Sequence, residues 1–177
     1  MFIECRFFKL TGRLFGFVAK DLESKISVIE KKLLDDNTAK QYTTVKTMVD
    51  HEIQNSLTFE KGHHASGSRT LLRLHWALEF ILEFMQELGR CSDHDKTSDI
   101  ATEVYNRTLS HHHPWITRKL AGLAMYLLPS RKDLVVAMCK QDYDHVIELL
   151  NKVVHSGKKV YIAIQIILED NDLLDIP

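Results

Sequence analysis

Glycine and proline are scarce here, seven and three in 177 residues. So few turn-formers argue against a sandwich or barrel, whose short strands need a tight turn at regular intervals. Cysteine is scarcer in effect than in number. Cys5, Cys91 and Cys139 stand far apart with no CxxC pair, which excludes a disulfide framework and reads as reduced thiols in the cytosol. No uninterrupted apolar run approaches the ~18 residues needed to span a bilayer. The opening stretch MFIECRFFKLTGRLFGFVAK is apolar but broken by Arg6, Lys9, Arg13 and Lys20. It lacks the continuous apolar segment and small-residue cleavage site of a secretory signal. Asn106-Arg107-Thr108 matches the glycosylation pattern, which carries no meaning without secretion. Excess charge is missing too. The formal net charge is −1, which excludes a bulk polyanion binder, and no aromatic-basic interleaving points to nucleic acid. There is also no GxSxG, no cysteine in a catalytic motif and no phosphate-cradling glycine loop, so nothing suggests an enzyme.

What is present is helical periodicity in a chain 45% hydrophobic and 27% charged, long enough to bury a substantial core. Ile3, Phe7, Leu10, Leu14 and Phe17 recur every three or four residues. That stripe runs on to Asp21 and Lys25, in a helix that stops at Asp35-Asp36-Asn37. A second helix is predicted over 39–57, with Tyr42, Val45, Met48, Val49 and Ile53 on one face. FEKGHHASGS is a loop, and Ser66 and Ser68 are candidate N-caps for a long central helix ending near Gly89. After a polar connection at 91–99, helices are expected at ATEVYNRTLS, at 115–128, at 131–140 with 142–154, and at 157–170. The last, KKVYIAIQIIL, is β-branched enough for a strand, but a lone strand would have no partner, so helix is preferred. The expected class is all-α, about seven or eight helices in a single domain.

Charged residues on apolar stripes are the features that need explaining. Twelve of the eighteen residues 71–88 are Leu, Ile, Phe, Met, Trp or Ala, yet Arg69 and Arg73 stand one turn apart on the stripe that continues through Trp76, Ala77, Phe80 and Phe84. Snorkelling at a helix start is the plain explanation. Against it, a buried unpaired charge costs several kcal/mol and like charges a turn apart repel. The arrangement therefore suggests an absent anion, and a phosphate suits the two guanidinium forks. Asp21 and Lys25 read either as an ordinary i,i+4 pair of about 0.3 kcal/mol or as part of the same polar centre. Consecutive His111, His112 and His113 cannot converge on one ion from a regular helix, and His63-His64 is a weak loop pair, so no metal is expected. Trp115 beside Arg118 and Lys119 fits a membrane interface as well as it fits a core.

Together these segments resemble the glycolipid transfer protein superfamily. FVAKDLESK, SGSRTLLRLHWAL, EVYNRTLSHHHPW and the closing LLDIP occur in order over nearly the whole chain, from about residue 10. The closest similarity is to its ceramide-1-phosphate branch. In the glycolipid branch a tryptophan that stacks on sugar takes the place of Arg69 and an asparagine that of Lys25; two cations here point to phosphate. The resemblance implies a two-layer helical sandwich enclosing an apolar lipid pocket, and a non-enzymatic carrier that needs no cofactor. It implies that Asp21 accepts from the ceramide amide and hydroxyl, that His113 donates to the amide carbonyl, and that Lys25, Arg69 and Arg73 clamp the phosphate, with Lys61 assisting. Trp115, Arg118 and Lys119 would lie on the membrane-docking face of a cytosolic monomer that visits membranes transiently. The family carries a further helix ahead of the one bearing Asp21; MFIECRFF does not resemble it, so a shortened N-terminal helix is expected. The alternatives are a glycolipid or neutral sphingolipid carrier and a non-transferring helical adaptor.

Overall fold

The computed structural model describes residues 13–62, 65–92, 94–138 and 143–177. Among them are seven α-helices and no strand: α1 (Arg13–Leu34), α2 (Val45–Gln54), α3 (Gly67–Arg90), α4 (Thr97–Arg107), α5 (Trp115–Tyr126), α6 (Arg131–Met138) and α7 (Tyr143–Glu169). A 3-10 turn, Leu109–His112, links α4 to α5. The expected all-α class is what forms. The stripe at Ile3, Phe7 and Leu10, the segment MFIECRFF, Cys5, Cys139 and His63-His64 lie outside the described residues.

The helices sort into two compact units. One comprises α1 up to Ala19 together with Trp76–Lys159; the other comprises Lys20–His75 and Val160–Pro177. The first packs Phe84 and Leu88 of α3 against Ala101, Val104 and Tyr105 of α4, Met125 of α5 and Leu134 of α6. Met85 meets Val146, Leu150 and Val154 of α7 in a second cluster. Side chains three, four and seven apart share a helix face, so these sets are the apolar stripes foreseen from periodicity. Arg131 is buried and donates from Nε to the Leu88 carbonyl at 2.8 Å, satisfying a carbonyl of the last turn of α3. In the other unit Tyr42, Met48, Val49, Leu71, Leu72, Leu168, Leu173 and Ile176 are buried.

Three boundaries differ from expectation, each for a local reason. The second helix is shorter than 39–57. Residues 35–43 form turns, and α2 starts only after Thr44, whose hydroxyl accepts from Thr47 N while Thr47 Oγ1 accepts from Thr44 N. This reciprocal capping box fixes the start. Helix α4 begins at Thr97, inside the stretch expected to be a polar connection. The helices expected at 142–154 and 157–170 are one, α7, unbroken through Ser156-Gly157. Glycine stands there for contact: a Cβ on Gly157 would come within 2.4 Å of Leu82 Cδ2. It admits the α3 side chain instead of ending the helix.

Candidate functional site

The first turn of α3 is built around a residue that periodicity did not single out. Glu52 of α2 is fully buried. Its carboxylate accepts from Tyr42 Oη at 2.6 Å, Ser66 Oγ at 2.8 Å, Gly67 N at 2.6 Å and Ser68 N at 2.8 Å. Burial alone would raise its pKa; the bonds from Tyr42, Ser68 and Gly67 outweigh that and hold the carboxyl below its ordinary value. The same partnership works in reverse on Tyr42, whose phenol is pushed far up by burial and by the adjacent Glu52. Gly67 is needed for this approach, because a Cβ there would lie 2.5 Å from Met48 Sδ and 3.2 Å from Glu52 Oε1. Of the two candidate caps, Ser66 is the N-cap of α3, its hydroxyl accepting from Arg69 N at 2.9 Å.

Ile53, expected to share a face with Met48 and Val49, is 40% exposed, and Glu52 takes the inward position. Glu52 lies four residues after Met48 and three after Val49, so its spacing was correct for the core. Its charge argued the other way. The available signal was the set of donors downstream, S66-G67-S68.

Arg69 and Arg73 follow on the first two turns of α3, both half-buried. Arg73 Nη1 donates to the Arg69 main-chain carbonyl at 2.9 Å. Burial, then the neighbouring Arg69 charge, lowers the Arg73 pKa. Guanidinium remains charged at any physiological pH, so the shift marks a charge held partly out of water beside another of the same sign. Arg69 Nε donates to the main-chain oxygen of Pro177. In the same unit, Lys25 and Asp21 of α1 form an i,i+4 ion pair, Asp21 largely exposed and Lys25 less so. Lys61 is exposed in the loop before α3.

His75, one turn further along α3, is buried and stacks on Tyr161 at 4.1 Å with the rings 10° apart. Gln165 donates from Nε2 to Glu169 at 2.6 Å, so its carbonyl oxygen faces His75 Nε2, 2.5 Å away. That order assigns the imidazole proton to Nε2 and leaves Nδ1 a buried acceptor with no hydrogen-bond donor among the described residues. Burial holds the His75 pKa down.

The remaining expected residues belong to the other unit. His113 is half-buried and its Nδ1 lies 2.8 Å from Tyr105 Oη. His112 stacks on Trp76 at 3.8 Å. His112 and His113 thus meet different partners. Trp115 opens α5 and is 64% exposed, with Lys119 Nζ 5.8 Å from its ring centre. Arg118 is exposed beside it. Ile116, Leu120, Leu123 and Leu127, spaced by three or four residues, are each more than half exposed.

The glycolipid transfer protein family model matches residues 4–140. The chain is 36% identical over 174 residues to the ceramide-1-phosphate transfer protein of Danio rerio, which spans 97% of this chain and 82% of that one. Human ceramide-1-phosphate transfer protein, solved in complex with 12:0 ceramide-1-phosphate, superposes with a TM-score of 0.89 at 31% identity and covers 98% of this chain and 84% of its own. The mouse protein without ligand superposes with a TM-score of 0.90 at 32% identity over the same shares of the two chains. 

Proposed function

This chain belongs to the glycolipid transfer protein family, and from that premise we propose that it carries ceramide-1-phosphate between membranes without making or breaking a bond. The observation that carries this reading is the pair Arg69 and Arg73, half-buried one turn apart on α3. Two half-buried guanidinium groups one turn apart favour a dianionic monoester over a neutral sugar, because their planar forks match phosphate oxygens and a sugar offers no charge for them to meet. Lys25 adds a third cation from the same unit, and Asp21 supplies the acceptor for the ceramide amide and hydroxyl. His113 donates to the amide carbonyl, a role assigned by resemblance.

The physical need for such a carrier is plain. Each methylene exposed to water costs about 0.8 kcal/mol, so a two-chain lipid leaves a bilayer unaided very slowly. Among the described residues no helix is long and apolar enough to cross a membrane. The working cycle is that of a cytosolic monomer docking transiently, with Trp115, Arg118 and Lys119 as the docking face.

Transfer of fluorescent ceramide-1-phosphate between vesicles, with galactosylceramide in parallel, tests the reading. The phosphate lipid should move and the glycolipid should not. Transfer of galactosylceramide alone would overturn the clamp. Transfer of neither, with no lipid-dependent rise in Tm, would mark the chain as an adaptor.

A further inference from the structure

We propose that Glu52 is a positioning residue for the phosphate clamp, setting head-group selectivity through the first turn of α3. The inference rests on the reading of Arg69 and Arg73 as that clamp. A neutral cap is already in place: Ser66 Oγ accepts from Arg69 N, and Thr70 Oγ1 donates to the Ser66 carbonyl at 2.7 Å. Holding the helix start therefore does not by itself require a carboxylate, and a fully buried one is costly unless it gains something more.

What Glu52 adds is four simultaneous acceptor contacts. Two of its donors are the main-chain N–H groups of Gly67 and Ser68, the residues immediately before Arg69. The others are Tyr42 Oη and Ser66 Oγ. With both oxygens engaged on two sides, the first turn of α3 can neither slide along its axis nor roll about it. Guanidinium–phosphate contacts are directional, so the roll of that turn decides whether Arg69 and Arg73 present their forks to one anion. Glu52 has a second effect of the same sign. The N–H groups and positive dipole at a helix start are themselves an anion seat. The carboxylate occupies that seat, so a phosphate must be read by the arginines and not by bare backbone.

Glu52→Gln keeps the shape, but its amide NH₂ would face two donors where an oxygen accepted. The experiment compares binding of ceramide-1-phosphate with that of neutral ceramide of the same fluorescent chain, for the wild type, Glu52→Gln and Arg73→Leu. Glu52→Gln should lower the ratio of phosphate lipid to neutral lipid about tenfold, the equivalent of one lost charge-assisted hydrogen bond. Neutral-lipid binding should change by less than about twofold. A merely structural role would lower both lipids alike and leave the ratio intact, which overturns the proposal; so does no change in either. If Glu52→Gln does not fold, Tyr42→Phe decides. It keeps the carboxylate and three of its contacts, and should lower the ratio about threefold; an unchanged ratio overturns the proposal. Arg73→Leu separates the two levels. Loss of phosphate-lipid preference there with none at Glu52→Gln rejects only the role of Glu52, whereas retained preference in Arg73→Leu rejects the clamp and this inference with it.

Discussion

At the scale of single residues, geometry matters more than charge count. Arg73→Lys keeps the charge but exchanges a planar fork for a point donor. Transfer of ceramide-1-phosphate should fall about tenfold with Tm unchanged within a degree or two, read by vesicle transfer and thermal melting side by side. His75 gives the protein an acid sensitivity of known sign. Its folded pKa is depressed by burial, so its contribution to stability is complete above the unfolded value near 6.5 and is lost as pH falls through the folded one. Between those two values stability should decline by up to about 1.4 kcal/mol per pH unit as the pH falls, and His75→Gln should flatten the decline seen by melting between pH 7.5 and 5.5. An undiminished slope in His75→Gln would assign the sensitivity to another histidine. Glu52, also depressed, adds a second loss at lower pH, beginning below the ordinary carboxylate range near 4.3.

At the scale of elements, two glycines inside helices predict opposite outcomes. Gly157 of α7 faces Leu82, and a Cβ there would be only 2.4 Å from Cδ2 of a buried side chain. Gly157→Ala should cost about 1 kcal/mol, because overpacking outweighs the gain in helix propensity. Gly122 of α5 has nothing within 4 Å of its would-be Cβ among the described residues, so Gly122→Ala should stabilise by about 0.5–1 kcal/mol. Equal effects on Tm would mean the α3–α7 contact is looser than described. The same glycines show what the sequence made legible. Helix existence followed from periodicity nearly everywhere, and α3 was read almost to its ends because Ser66 and Gly89 bracket a continuous apolar stripe. The break expected at 155–156 does not occur, because Gly157 admits a neighbour, Leu82, that the sequence does not reveal. Thr44 misled because its capping box shortens α2 from within a stretch of acceptable helix formers. At the site, Arg69 and Arg73 were legible as charges where apolar residues were due. Glu52 was not, since its meaning lies in four donors drawn from Tyr42 and residues 66–68.

At the scale of the whole molecule, the outstanding surface feature is α5. Trp115, Ile116, Leu120, Leu123 and Leu127 are all more than half exposed, and Arg118 and Lys119 stand among them. A patch of this kind on a surface helix suits partial immersion in a lipid interface, where indole and basic side chains anchor and aliphatic ones sink. Ile116→Ser together with Leu120→Ser should lower vesicle binding at least tenfold by co-sedimentation, since burying each aliphatic side chain contributes about 1.5–3 kcal/mol. The lipid preference of whatever transfer remains should not change. A shifted preference would place α5 in head-group recognition instead of docking. Added salt should weaken binding to anionic vesicles more than to neutral ones, in line with screening of Arg118 and Lys119.

The ion pair between Asp21 and Lys25, together with the Pro177 oxygen on Arg69, bears on how a head group is received. The groups assigned to a phosphate and an amide hold one another or the main chain. On the carrier reading, loading is an exchange of partners, and exchanges of this kind have a small net free energy. Pick-up and delivery lie near balance on that account, and the direction of travel is left to the lipid concentrations in the two membranes.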